Sequence, residues 1–302
     1  MNKMIKAFST LAAAACLAMP VAASAQGINV KIVAGKDKAH SSVTASGTIK
    51  HVITDADRTN FGIGDSPLKN AVNKYFGKTP NDAYVKSPTP WNDLYKTYSW
   101  PQVTTNLTVV AATVTDITSN PVILASKVLK NNSSVDGTFN ANVTDSVANT
   151  VTSSWNASVT AGFSQSINYE VGIEGIAKVG GTTTFSFSGT YGQGGSHSTT
   201  TTVSSGQGVT VTLKPGQAVK AVLNASRGTM KVRVTYHVHL EGDTAINYNP
   251  TYKGHHFWAL GIGSVMQAAG LANTFTVTED MEVGYYSNGE VVLQNLDGST
   301  FQ

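Results

Sequence analysis

The chain reads as a mainly β protein with a small mixed α/β part near its N-terminus, and three features of the sequence say so. Ser, Thr, Asn, Gly and Val are in excess over Leu, Glu and Lys, which favours strands over helices. Polar and apolar residues alternate with period two over long stretches between Val103 and Leu240. Only one segment carries a strong helical stripe, formed by Leu68, Ala71, Val72, Tyr75 and Phe76.

The first 25 residues stand apart. Lys3 and Lys6 make a positive start, Leu11 to Ala23 is apolar, and Ala23-Ser24-Ala25 has the small-x-small form of a cleavage site. Residues 1–25 therefore read as a secretory signal peptide of bacterial type, with a mature start near Gln26. Cys16, the only cysteine, falls inside this segment, and Ala13 stands where a lipoprotein signal would carry Leu. The expected mature chain has no disulfide, no thiolate metal site and no cysteine nucleophile. Its length of about 277 residues is enough for a substantial core. No later apolar run approaches the ~20 residues of a membrane helix. The net charge is +3, charged residues are 13% of the chain, and Lys and Arg form no cluster, so nucleic acid is not an expected partner.

Taken in order, residues 28–64 read as mixed polar strands with a turn-like "TDADRTN". The helix follows: Ser66 is placed to cap it, Pro67 suits its first turn and Gly77 its end. Tyr75, Phe76, Tyr84, Trp91, Tyr95, Tyr98 and Trp100 then crowd into one short region. Part of that cluster belongs in a core. Trp91, Tyr95 and Trp100 are the residues expected to meet a glycan or a membrane headgroup. Beyond Val103 come long Ser/Thr-rich strands. In "LKPGQAV", Pro215 presets the first corner of a turn and Gly216 takes the positive φ of the second. Met230, Val232, Val234, Tyr236, Val238 and Leu240 share one face of a further strand. A short helical piece is expected over 264–271, then strands over 275–283 and 291–293.

The stretch from Gly162 to Tyr191 has the cleanest alternation. Phe163, Ile167, Tyr169, Val171, Ile173, Val179, Phe185 and Phe187 fall on one face. Ser164, Ser166, Asn168, Glu170, Glu174, Lys178, Thr182, Thr184 and Ser186 fall on the other. The reading is a hairpin with strands Phe163–Ile173 and Ile176–Ser186, turning at Glu174 and Gly175. Each strand matches the ~9–11 residues of a tilted transmembrane β-strand. A lone hairpin cannot cross a bilayer, because its edges would leave unpaired backbone groups in hydrocarbon. Several chains would have to close a barrel together. The same alternation also serves a hairpin half-buried in a soluble sandwich, and the residues by themselves leave both readings open.

"NVTDSVANTVTSSW", the hairpin, "SHSTTTTVSSGQGVTVTLKPGQAV" and the strand after it, roughly residues 142–240, together resemble the aerolysin-type β-pore-forming toxins, in particular the epsilon-toxin and mosquitocidal-toxin branch. The resemblance implies an elongated antiparallel β body with a small mixed α/β N-terminal head. It divides the chain into a receptor-binding head at 26–105 and a pore-forming region at 106–302. It also implies a secreted protein that binds an unknown receptor (glycan, lipid or protein) and assembles a homo-oligomeric ring on a target cell membrane. One hairpin per subunit would then insert, its apolar set facing lipid and its polar set facing the lumen. No activation peptide is evident, although Lys31, Lys36 and Lys38 offer protease sites, and no lectin module is recognisable.

Other motifs point elsewhere only weakly. His237 and His239 share a face, as zinc ligands on a strand can, but Lys231, Arg233 and Glu241 share it too, and a solvated polar face is the expectation. "GFSQS" lacks the last Gly of a hydrolase elbow. No P-loop, dinucleotide fingerprint or HExxH is present. The expectation is a pore-former without catalysis, cofactor or metal. The alternative is a secreted glycan-binding or adhesive β-sandwich whose hairpin never leaves the core.

Overall fold

The computed structural model describes residues 27–158, 161–175, 182–204 and 208–301, so the segment expected to be a signal peptide lies outside the described residues. In chain order the first strands and helices are β1 (Gly27–Ala34), β2 (Ser42–Val52), α1 (Asp55–Asn60), α2 (Asp65–Phe76), β3 (Asp82–Tyr84), α3 (Pro90–Tyr98) and β4 (Thr104–Lys130). The middle of the chain gives β5 (Gly137–Ala141), β6 (Thr144–Asn156), β7 (Ile167–Glu174), β8 (Thr182–Gly189), β9 (Gly195–Ser204) and β10 (Val209–Leu213). The last elements are β11 (Ala218–Glu241), β12 (Asp243–Tyr252), β13 (His255–Gly261), α4 (Ile262–Ala269) and β14 (Thr274–Gln294).

Nine strands form one sheet in the order β8-β7-β1-β2-β4-β11-β14-β6-β9. Its spine is β11, of 24 residues, between β4 and β14, of 27 and 21 residues. At ~3.3 Å per residue these strands run roughly 70–90 Å, which makes the body elongated. The alternation read from the sequence sets which face is dry: Met230, Val232, Val234, Tyr236, Val238 and Leu240 are all buried. Register shifts at Leu223/Asn224, Lys231/Val232 and Thr235/Tyr236 bend the β4–β11 ladder. The sheet also folds back on itself. β8 and β9 end the strand order at opposite edges, yet the rings of Phe187 on β8 and His197 on β9 stack with centroids 4.1 Å apart. The core lies between the two facing halves.

Gly216 takes φ 76° and Gln217 N–H bonds the Lys214 carbonyl at 3.0 Å, as the turn chemistry predicts. This turn joins two sheets, because β10 pairs with β5 whereas β11 pairs with β4 and β14. The two strands expected over 275–283 and 291–293 are one continuous strand, β14.

The helical end draws on two stretches of chain. A three-stranded sheet, β13-β12-β3, carries α1, α2 and α3 from the N-terminal third and α4 from near the C-terminus. The boundary expected at 105 therefore misplaces β1 and β2, which belong to the large sheet. "TDADRTN" is helix α1 rather than a turn, because Thr54 and Asp57 close a reciprocal capping box. In α2 the cap position is Gly64 rather than Ser66, and Gly77 ends the helix at φ 95°. Leu68, Ala71 and Val72 are buried, but Tyr75 is exposed.

Candidate functional site

The hairpin forms β7 and β8, paired from Ile167↔Gly189 to Glu174↔Thr182. This register corrects the expected turn at Glu174 and Gly175. Residues directly opposite one another share a face, so a two-residue turn there would set Val171 against Lys178 and mix apolar with polar. The observed pairing leaves residues 175–181 between the strands and sets Tyr169 against Phe187 and Val171 against Phe185. The Tyr169 and Phe187 rings stack at 4.8 Å, nearly parallel. The strands accordingly cover 167–174 and 182–189, shorter than expected. Lys178 and Val179 lie outside the described residues.

The two faces differ as the alternation requires. Ile167, Tyr169, Val171 and Ile173 are buried against the core, with Phe185 and Phe187 half-buried beside them. Asn168, Thr182, Thr184 and Ser186 are exposed, and Glu170 and Glu174 are half-exposed. Phe163 is buried and precedes β7 in the docked hairpin. It packs edge-on against His51 at 4.9 Å and against Tyr191 at 5.4 Å. Ser164 and Ser166 flank it in exposed, non-strand positions.

Among the described residues the ladder that joins this hairpin to the body is that of β1, which pairs parallel with β7 and antiparallel with β2, and Gly289 N–H of β14 adds one backbone bond to the Gly175 carbonyl at 3.2 Å. On the dry side one polar cluster underlies it. Glu279 of β14 is fully buried and accepts hydrogen bonds from Ser153 Oγ at 2.5 Å, Tyr169 OH at 2.7 Å and Tyr236 OH at 2.8 Å. Burial pushes its carboxyl up from the ordinary range, and the three hydroxyls only partly reverse that. The sequence carries a signal for it that hydrophobic counting passes over: Glu279 occupies the parity of Val277, Met281, Val283 and Tyr285.

At the helical end the aromatic residues divide. Trp91 is 42% exposed and Tyr98 is 49% exposed, with Trp100 half-buried and stacked on Tyr98 at 4.7 Å. Trp91 also meets Phe257 at 5.1 Å. Tyr95 is not a contact residue. It is 3% exposed, and its hydroxyl donates to the Tyr84 and Asp243 carbonyls and accepts from Ala245 N–H, tying α3 to β3 and β12. Trp91, Asn92 and Asp93 hold φ near +60°, a conformation that costs an L-residue roughly 1–2 kcal/mol. Thr89 Oγ1 accepting from Leu94 N–H and Ser87 Oγ donating to Asp93 hold this turn and keep Trp91 outward. His239 lies beside Glu241 at 3.1 Å, and among the described residues no three His, Cys, Asp or Glu gather as metal ligands would.

No profile of a known protein family matches the chain. Toxins from two Megalopyge species do. U-megalopygitoxin(8)-Mo12 of Megalopyge opercularis is 36% identical over 251 residues, 82% of this chain and 84% of that one. U-megalopygitoxin(8)-Mc8 of Megalopyge crispata is 35% identical over 248 residues, 81% of this chain and 83% of that one. Among solved structures, parasporin-2, a Bacillus thuringiensis toxin that recognises cancer cells, matches with TM-score 0.54 at 20% identity over 82% of this chain and 98% of its own. The chain belongs to the U-megalopygitoxin(8) toxin family, and its fold is aerolysin-like. The likeness to parasporin-2 is one of fold.

Proposed function

We propose that this toxin is secreted, binds a receptor on a target cell, oligomerises into a ring there and inserts the β7–β8 hairpin of each subunit to complete a transmembrane β-barrel. One observation supports this most: the segment with a full apolar and a full polar face sits at the sheet edge, where among the described residues its backbone is held by one strand ladder and a single further bond at Gly175. In the soluble form the apolar face of Tyr169, Val171, Ile173, Phe185 and Phe187 is covered by core. In the barrel the same face turns to lipid, while Asn168, Glu170, Glu174, Thr182, Thr184 and Ser186 line the lumen. The polar residues that keep the docked hairpin's outer face wet thus become the wall of an aqueous path. Val179 and Lys178, beyond the described strands, fall on the lipid and lumen parities respectively.

Receptor contact falls to Trp91 with Tyr98 and Trp100. Exposed aromatic rings held rigidly give a flat apolar surface with a polar rim, suited to a sugar face or a headgroup. The chemistry is permeabilisation, with no group in this account forming or breaking a covalent bond.

The test mixes the protein, lacking residues 1–25, with dye-loaded liposomes and with susceptible cells, then runs the membranes on an unheated SDS gel. Dye release with a large detergent-resistant band is expected. Binding without release, and only monomer on the gel, would favour an adhesive β-sandwich.

A further inference from the structure

The buried carboxylate beneath the hairpin has no cation to answer it. Among the described residues, no Lys, Arg or His forms an ion pair with Glu279. Its neighbours are hydroxyls and rings from each strand packed against it. β6 supplies Ser153 and Trp155, β11 supplies Tyr236, and β7 supplies Tyr169. Tyr191, just after β8, packs on Trp155 at 5.1 Å. On β9 the titratable group facing this interior is His197, stacked on Phe187. Asp280 follows Glu279 onto the opposite, wet face, where Arg233 holds it at 2.7 Å.

Of the three donors, only Tyr169 belongs to the hairpin; Ser153 and Tyr236 stay with the body. Hydroxyls satisfy the lone pairs of a carboxylate but leave its charge in a medium that solvates it poorly. The protonated acid fits the same site with hydrogen bonds and no net charge. Lifting the hairpin would admit water to Glu279, so the ionised form gains from opening what the neutral form does not.

We infer that Glu279 is a charge spring under the insertion hairpin: ionised, it makes the docked hairpin metastable, and protonated, it lets the hairpin close. This rests on the hairpin leaving its dock, as proposed above. The sign follows from linkage. Burial raises the docked carboxyl, so the docked form holds its proton more tightly than the open form. The proton-dependent part of docking is fully present in acid and is lost as pH rises through the docked-state value. Across that window the opening equilibrium shifts toward the free hairpin by up to about tenfold per pH unit. The device thus holds the hairpin down in acid and poises it for release as the pH rises.

The test is amide hydrogen exchange on the soluble protein between pH 5 and 8, without membranes, comparing wild type with Glu279→Gln at each pH so that intrinsic exchange rates cancel. The amide side chain of Gln can accept from and donate to the same hydroxyls without a charge. In wild type, protection of β7 and β8 should fall with pH relative to the variant, while protection of β11 should match in both. Equal hairpin protection in the two proteins at every pH would overturn the inference. So would a pH dependence kept in full by Glu279→Gln, which would belong to His197. Tyr169→Phe gives a second reading without touching the carboxylate. It should open more than wild type, with the larger difference at pH 8, and an equal difference at pH 5 and 8 would count against the spring. Vesicle leakage run alongside separates the two proposals. Leakage with hairpin protection indifferent to Glu279 sinks the spring alone; a pH-dependent hairpin with no leakage upholds the spring and sinks the pore.

Discussion

Lys31 of β1 reaches Glu170 of β7 at 2.9 Å, across the only parallel pairing among the described strands. Both side chains are about half exposed, so the ion pair contributes roughly 0–1 kcal/mol and marks the contact more than it makes it. What matters is the backbone ladder beneath it. A hairpin from the middle of the chain docks alongside β1, and among the described residues seven residue pairs from Ile28↔Ile167 to Ala34↔Ile173, with one bond from Gly289 N–H to the Gly175 carbonyl, join its backbone to the sheet.

The long body depends on close approach at Gly228. A Cβ there would enter the ring of Tyr285, whose hydroxyl donates to the Gly35 carbonyl at 2.7 Å after β1. Gly228→Ala should cost about 1–3 kcal/mol through overpacking. Tyr285→Phe, which only removes the hydrogen bond, should cost about 1 kcal/mol. Urea midpoints of the two variants check the order, and an Ala variant as stable as wild type would show that the ring is free to move.

Asp57 ties the capped start of α1 to β2. Burial pushes its carboxyl up, but hydrogen bonds from His51 and from the Thr54 backbone and hydroxyl outweigh this and bring it from 3.8 down to about 2. A depressed carboxyl contributes stability above its unfolded value that is lost as pH falls through its folded value. About 2 kcal/mol should therefore disappear between roughly pH 4 and pH 2. Denaturant unfolding of wild type and Asp57→Asn over that range checks it; the gap between them should shrink with acid, and a constant gap would refute the assignment.

With Glu170 and Glu174 on the lumen parity against Lys178, each subunit adds net negative charge to the pore. Acidic rings favour cations, so the pore should be cation-selective at low salt. Glu170→Lys together with Glu174→Lys should reverse the sign of the reversal potential in planar bilayers. An unchanged potential would show that these side chains do not line the path.

The period-two pattern was enough to read the long strands, the dry face of β11 and the two faces of the hairpin, because alternation is a local consequence of the pleat. A turn at Glu174 and Gly175 is one the pattern itself forbids: apolar residues at odd positions in both strands pair only across an odd-length loop. The parallel docking of β7 on β1 is not local, since 139 positions separate Asn168 from its neighbour Asn29. The burial of Tyr95 is not legible in the sequence, because composition cannot tell which ring of a cluster finds buried carbonyls for its hydroxyl. Glu279 was legible as a break in an apolar parity, but its meaning needed Tyr169 to arrive from the far edge of the sheet.

The central claim, that β7 and β8 leave the sheet and enter the membrane, is tested most directly by tying them down. Asn29 and Asn168 face each other in register across β1 and β7, with their side-chain amides 3.4 Å apart. Beyond residue 25 the sequence has no cysteine, so Asn29→Cys with Asn168→Cys gives a single disulfide at that contact. The oxidised protein should bind membranes as wild type does and release no dye, and reductant should restore release. Oxidised protein that empties liposomes as fast as reduced protein would show that this hairpin is not the part that inserts.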